Sequence, residues 1–476
     1  MGVMSDMQFD VVVIGAGAAG ENAADVAARH GLRTAIVERE LVGGECTYWA
    51  CMPSKALLRP GDVLDTTGRT PGFTGGAIDV DAALARRDAL AADWNDDAQV
   101  EWLEGAGVTL LRGHGRLDGD HMVEVEGDDG SVDRVEVTRG VILATGTSAS
   151  MPSISGLSEV SVWDSRSATS AREVPHRLII IGGGAVGVEM AQAWKTLGSE
   201  EVTIIEHSER ILAVEEPFAG DELEKAFDRL GIRVHTEASA TAVRRNGRVG
   251  PVSIDVTLSG GTEVTLEADE LLVATGRNPN TTDLGLSTVG LADGEYVVVD
   301  DHLLATGVEG NWLYAVGDVN GRSLLTHTGK YQARVAGAHI AGVSTSAWGD
   351  QKATPRVVFT NPQVAAVGLT TAQAEDAGIR VRTVSYDIGR TAGASTLGKG
   401  HHGTCSLVVD ADTQTIVGAT FVGPQVGELL HSATIAIVGE VPLDTLWHAV
   451  PSFPTLSEVW LRLLESYRDE YGHEFL

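Results

Sequence analysis

A strand, a glycine-rich turn, a helix, a second strand and a closing acidic residue follow one another twice in the 476-residue chain. That repeat predicts an α/β protein with two Rossmann-like dinucleotide-binding units. The length suits about three domains at roughly 150 residues each, so a further part is expected. Apolar alternation across 403–409 and 414–422, then an apolar helical stretch over 429–438, makes that part α+β. The expected boundaries are 1–155 with 280–345 for the first nucleotide domain, 156–279 for a second one inserted into it, and 346–476 for the last. The small and polar residues of Pro60 to Gly76 and Ser344 to Thr354 read as exposed connectors.

In the first copy, Phe9 to Ile14 is an apolar run of strand type, and Gly15, Gly17 and Gly20 follow at once. Glu21 to His30 reads as helix, Thr34 to Val37 as the second strand, and Glu38 closes the unit. In the second copy the strand is Leu178 to Ile181 and the glycines are Gly182, Gly184 and Gly187. Its helix is Val188 to Leu197, its next strand Val202 to Ile205, and its closing residue Glu206. The first glycine permits a tight turn, the second lets the backbone approach a pyrophosphate, and the third allows close helix-strand packing. The helix N-terminus offers N–H groups and partial positive charge to the phosphates, and the closing carboxylate accepts from ribose hydroxyls. Val141 to Gly146, VILATG, which includes Thr145, and Leu271 to Gly276, LLVATG, each read as a buried strand downstream of one fingerprint. Glu206 repels a 2′-phosphate, and His207, Ser208 and Glu209 add no basic cluster although Arg210 is close, so NAD is favoured over NADP.

Lys+Arg number 35 against 66 Asp+Glu, a net charge of -31. Such a surface repels phosphate backbones and anionic lipid, so neither nucleic acid nor an acidic membrane is an expected partner. No apolar run is long enough to span a bilayer. Met1 to Asp10 lack the basic-then-apolar order of a secretory leader, and Asp6 stands where a myristoylation signal wants Ser or Thr. A cytoplasmic protein is the expectation.

The cysteines are Cys46, Cys51 and Cys405, too few and too odd for a disulfide framework. Cys46 and Cys51 lie in Gly43-Gly44-Glu45-Cys46-Thr47-Tyr48-Trp49-Ala50-Cys51-Met52-Pro53-Ser54-Lys55. On a regular helix, residues five apart have Cα atoms roughly 8–9 Å apart, beyond the ~7 Å that a disulfide spans, so a bond requires a distorted segment. Lys55 would share a face with Cys51 on a helix continuing past it, and its charge would favour a thiolate. Three readings are open: a zinc half-site, which lacks a second close Cys or His pair, two inert buried thiols, and a redox pair, which is favoured. No resident metal is expected.

These residues resemble the flavin-dependent pyridine nucleotide-disulfide oxidoreductases, which include dihydrolipoamide dehydrogenase, glutathione reductase and mercuric reductase. The resemblance runs through both fingerprints, the Cys46/Cys51 segment, Ala274-Thr275-Gly276-Arg277-Asn278-Pro279-Asn280 and Tyr314-Ala315-Val316-Gly317-Asp318. It continues through Phe359 to Leu369, FTNPQVAAVGL, and ends at Pro454-Thr455-Leu456-Ser457-Glu458. It implies FAD in the first unit, with Glu38 on the adenosine ribose, Gly115 near the adenine, Asp318 on the ribityl chain, and Thr145 and Gly146 beside them. It implies NAD(P)H in the second unit, with Gly276 and Arg277 in the cofactor-binding set and Lys55 near the flavin N5, paired with Glu189. Cys51 would be the flavin-side thiol and Cys46 the outward thiol that meets substrate. A homodimer is also implied, the C-terminal domain of one subunit completing the disulfide site of the other.

One departure outweighs the matches. Relatives that reduce disulfides usually carry His-x-His-Pro-Thr in the last motif, whereas this chain has Pro451-Ser452-Phe453-Pro454-Thr455. Phe453 cannot carry a proton, and His448 does not match the family position. The resemblance places Glu458 in the catalytic set with Cys46, Cys51 and Lys55, as the partner that would orient the missing His, but its favoured reading is half of a capping box with Thr455 ahead of Val459, Trp460, Leu463, Leu464 and Tyr467. Loss of a general acid typically costs about 10²–10⁴ in rate when the leaving group needs a proton. The expected small-molecule acceptor is therefore a quinone, an activated disulfide or a dye. Tyr48 and Trp49 read equally as lining for that site or as packing. Mercuric ion is disfavoured because no C-terminal Cys pair is present. Two rival readings are a specific disulfide reductase working without the His, and a nucleotide-binding, redox-sensing interaction protein.

Overall fold

The computed structural model describes residues 6–245, 247 and 250–472, so residues 1–5 of the segment read for a leader lie outside it. The chain forms two compact units, Met1–Pro53 with Asp88–Ser150 and Arg277–Gln351, and Ser54–Arg87 with Met151–Gly276 and Lys352–Leu476.

Among the described residues, the first unit is built on a seven-stranded sheet. Asp6–Ile14 pairs in parallel with Thr34–Glu38 on one side and Val132–Leu143 on the other, and Thr109–Arg112 and Leu313–Ala315 extend the parallel part. Met122–Glu126 and His114–Leu117 add an antiparallel edge. Val11 and Val13 point into one core and Val12 and Ile14 into the other, all buried, which is why this strand reads as an unbroken apolar run. The helices Ala18–Arg29 and Thr326–Ile340 pack together on one face.

The second unit holds the second copy. Ile232–His235, Glu201–Ile205, Arg177–Ile181 and Glu270–Val273 form a parallel sheet in that order. Leu178 and Ile180 face one core, Ile179 and Ile181 the other. A separate five-stranded antiparallel sheet runs Arg356–Val358, Gln363–Gly368, Thr415–Gly423, Thr404–Asp410, Val381–Asp387, with the helices Val426–Val438 and Glu458–Tyr471 against it. The predicted fold class, two Rossmann-like units and a C-terminal antiparallel domain, is the one observed.

Several elements differ from expectation. Both fingerprint helices begin earlier, at Ala18 and Ala185, so the third glycine lies inside the helix. There a Cβ on Gly20 or Gly187 would come within 1.9 Å of the carbonyl oxygen of Gly15 or Gly182. Pro60 to Arg69 is not a connector but the second half of the helix Cys51–Arg69. Proline removes one backbone donor there, and beyond it the Thr66 and Thr70 hydroxyls donate to the Asp62 and Thr66 carbonyls. Within Ser344 to Thr354, a short helix, Gly349–Lys352, and buried Ala347 interrupt the exposed loop that was expected. No helix among the described residues is long and apolar enough to cross a membrane.

Candidate active site

Cys46 and Cys51 are joined as a disulfide with Cα atoms 4.6 Å apart. The chain reaches that spacing by leaving regular helix, as the bond requires: Gly44–Tyr48 is one short helix, Cys51–Arg69 the next, and Trp49 and Ala50 break between them. Positive φ at Gly43 and Gly44 turns the loop onto the first fingerprint. The Gly43 N–H donates to the Ala16 carbonyl at 2.8 Å, and a Cβ on Gly44 would stand 2.7 Å from the Gly17 Cα. The sulfur pair is therefore seated directly against the glycine turn of the first nucleotide unit.

Thr326, the first residue of the helix Thr326–Ile340, places its hydroxyl 3.3 Å from the Cys51 Sγ. A disulfide sulfur has no hydrogen, so the hydroxyl donates. Thr326 was missed from sequence because 275 residues separate it from Cys51; its only local signal is its position opening a helix soon after Asp318. Tyr48 is fully buried and donates to the Val42 carbonyl at 2.8 Å, so it packs the loop rather than lining a surface. Trp49 meets its ring edge-on at 5.5 Å.

The glycine turn of the first unit has the geometry of a dinucleotide cradle. A Cβ on Gly17 would touch nothing within 4 Å, which leaves that face open, while Gly15 is tight against the Ala144 carbonyl. Glu38 accepts from the Ala16 N–H at 2.7 Å and the Glu40 N–H at 2.8 Å. Glu38, Gly15, Gly115 and Thr145 line one cavity of about 360 Å³. The Thr145 hydroxyl oxygen is buried without a partner among the described residues, as expected of a group that bonds a cofactor. Gly146 follows it at φ +68. Asp318 accepts from the Thr147 hydroxyl at 2.8 Å, and burial raises its carboxyl above the ordinary value against that bond and the charge of Arg277. Arg277 belongs to this first unit, where it donates to the Thr147 hydroxyl and carbonyl. Glu21, in the first turn of Ala18–Arg29, is another group sequence reading passed over: burial pushes its carboxyl up to about 7.

The second unit repeats the cradle. Gly182 is tight against the Ala274 carbonyl, Gly184 is open, and Gly276 ends the LLVATG segment. Glu206 accepts from the Gly183 and Ser208 N–H groups. Arg210 pairs with Glu209 at 3.2 Å. In the same unit Lys55 donates to Glu189 at 2.7 Å and lies over the Phe359 ring at 4.7 Å, while Glu189 also accepts from the Phe359 N–H at 2.9 Å. Glu189 is 6% exposed, so this carboxylate is committed on both oxygens.

Glu458 corrects the capping-box expectation. The helix begins at Glu458 itself, its N-cap Ser457 makes no side-chain cap, and the Thr455 hydroxyl donates to the Ser452 carbonyl. Buried Glu458 instead accepts from the Ala392 N–H at 3.0 Å and from Arg462 at 2.7 Å. Phe453 is 76% exposed, and His448 sits on an exposed turn after the helix Leu443–Trp447. Cys405 is a core residue whose thiol burial pushes up. No group of three or more His, Cys, Asp or Glu among the described residues could hold a metal.

Comparison with known proteins agrees with this geometry. The pyridine nucleotide-disulphide oxidoreductase family matches residues 9–339, and that family's dimerisation domain matches 354–463. The chain is 36% identical to dihydrolipoyl dehydrogenase of Chlorobaculum tepidum over 95% of each chain. It is 31% identical to mercuric reductase of Staphylococcus aureus over 95% of this chain and 81% of that one. Among solved structures, LpdA from Mycobacterium tuberculosis superposes with TM-score 0.83 at 27% identity, covering 96% of this chain and 99% of that one. The copper(II) complex of the HOCl-induced flavoprotein disulfide reductase RclA from Escherichia coli shares the fold, with TM-score 0.84 at 24% identity and the same coverage. The family implies FAD and a pyridine nucleotide, both of which the two cradles fit, and the dimerisation domain points to a homodimer. The chain belongs to the pyridine nucleotide-disulphide oxidoreductases, and is a flavoprotein enzyme with a redox-active Cys46–Cys51 disulfide.

Proposed function

We propose that this enzyme uses NADH to reduce an acceptor that needs little proton assistance, a quinone or an activated disulfide. For a quinone the reaction balances as NADH + H⁺ + quinone giving NAD⁺ and hydroquinone; for a disulfide, two thiols replace the hydroquinone. The organisation proposed is FAD on 1–155 and 280–345, NADH on 156–279, and the dimer contact on 346–476. Bound FAD supplies the two-electron relay between nicotinamide and sulfur.

The chain's own residues do the holding. Gly15, Gly17 and Gly20 open a pyrophosphate path, Glu38 and Asp318 take the FAD sugar and ribityl hydroxyls, Gly115 and Thr145 line the cavity, and Gly146 turns the chain after Thr145. Gly182, Gly184, Gly187, Glu206 and Gly276 do the same for NADH, and Arg277 steadies Thr147 beside Asp318. Glu206 closes the second unit and the nearby Arg210 pairs with Glu209, which supports NADH over NADPH. Thr326 and the first turn of its helix favour a thiolate at Cys51 once the disulfide opens. Lys55 is fixed by Glu189, and Cys46 is assigned the outward role.

The observation that carries the acceptor reading is Phe453: the exposed loop that would meet the partner's disulfide presents a ring and no proton. Glu458 supports this, because it holds Ala392 and Arg462 rather than waiting for an imidazole. Anaerobic titration with NADH tests the core of the proposal. It is expected to bleach the flavin within a turnover time and then produce a long-wavelength absorption that Cys51→Ser abolishes. NADH is expected to outperform NADPH in kcat/KM. A flavin that NADH leaves oxidised would end the reading and favour a binding protein, and lipoamide turnover rivalling that of quinones would end the acceptor assignment.

A further inference from the structure

The second unit contains a cavity of about 370 Å³ that none of the residues above explains. One wall is the helix Pro217–Leu230 and another is the glycine-rich loop Gly398-Lys399-Gly400-His401-His402-Gly403. Its carboxylates are already satisfied. Glu222 accepts from both the N–H and the hydroxyl of Thr404, and Asp387 accepts from the Gly389 N–H at 2.8 Å and the Gly403 N–H at 3.3 Å. Arg69 is likewise held, by Asp65 at 2.6 Å and the Gly400 carbonyl at 2.8 Å.

What remains is two unpaired cations and a set of unused donors, beside two carboxylates that keep their charge. Lys225 and Arg229 stand one turn apart on the helix, exposed, with no ion pair or hydrogen bond among the described residues. The His401 Nε2 is buried and unpartnered, although the same residue is engaged by the Leu397 backbone. The backbone N–H groups of Gly400, His401 and His402 also find no acceptor among the described residues. A buried polar atom without a partner is costly. With its other ring nitrogen donating to the Leu397 backbone, the His401 Nε2 is an acceptor that needs an O–H, while the two unpaired cations favour anionic oxygens, and a partly protonated phosphate offers both.

We propose that this cavity is a binding site for a small phosphate-bearing anion, held by Lys225, Arg229 and His401. The imidazole nitrogen meets a protonated phosphate oxygen as acceptor or, once protonated itself, a bare oxygen as donor. Because the helix follows the second nucleotide strand pair and the loop precedes a strand of the five-stranded sheet, the ligand would join these two elements.

The test is calorimetric titration of the FAD-loaded enzyme with inorganic pyrophosphate, at fixed ionic strength and with saturating NAD⁺ to fill the second cradle. One site per chain is expected. Lys225→Gln with Arg229→Gln is expected to weaken it roughly tenfold or more, as loss of two charge-assisted contacts requires. His401→Phe is expected to weaken it too. Lys195→Gln with Arg172→Gln, the same charge change elsewhere on the unit, is expected to leave it intact. No binding to the parent at millimolar pyrophosphate, or equal loss in both double variants, would overturn the proposal. Lys225, Arg229 and Arg172 are exposed and Lys195 is half-buried, and an unchanged melting temperature shows that each double variant folds.

Discussion

Phe453 is the residue on which acceptor choice turns. Replacing it with His returns a proton carrier to the loop, and a general acid is worth about 10²–10⁴ in rate where the leaving thiolate needs protonation. Phe453→His is expected to raise kcat on lipoamide by at least about tenfold and to leave quinone turnover within a few-fold. Steady-state rates on both acceptors check it. Glu21 yields a pH prediction. Its carboxyl is raised to about 7 by burial, with Glu38 adding to the shift and Lys330 opposing it. The folded state therefore holds a proton that the unfolded chain has released above the ordinary glutamate value of 4.5. Stability gained from that proton is present at pH 5 and declines as pH rises toward 7, the reverse of a salt-bridged carboxylate. Denaturant melts across that window are expected to show the decline in the parent and a flatter profile in Glu21→Gln.

At the scale of elements, the two fingerprints were legible because each uses a buried strand and a glycine whose missing Cβ is structurally required. Gly187→Ala tests this without touching a reactive group. Its methyl would fall 1.9 Å from the Gly182 carbonyl oxygen, so helix and strand must separate. A loss of about 2–3 kcal/mol is expected by chemical denaturation, the usual scale of overpacking. The readings that failed did so because partners distant in sequence won. Thr455 and Glu458 have the spacing of a capping box, yet the Thr455 hydroxyl goes to Ser452 and Glu458 reaches Ala392, 66 residues away. The small and polar residues from Pro60 suggested a connector, but the helix runs through to Arg69 and packs Gly61 against Thr196. Thr326 lay beyond any local pattern, since only the folded sheet and helix bring it to Cys51.

For the whole molecule, family and fold were readable because motif order is a property of the entire chain. Acceptor and charge function were less so, because they depend on which groups remain unpaired after folding. A net charge of -31 implies self-repulsion that mobile ions screen over a Debye length of roughly 10 Å at 0.1 M salt. The melting temperature is therefore expected to rise from low salt to several hundred millimolar sodium chloride, an ion that does not compete as phosphate does. A flat or falling trend in scanning calorimetry would show that paired surface charges such as Arg116 with Asp283 already dominate.

The contact of Gly44 with Gly17 has a consequence for anyone wishing to move the sulfur chemistry elsewhere. The fit at that seam is one-sided, since a Cβ on Gly44 would stand 2.7 Å from the Gly17 Cα whereas one on Gly17 would meet open space. A transplant beginning at Gly43 would arrive without its anvil, and the smallest portable piece starts at the first strand and runs unbroken through Lys55.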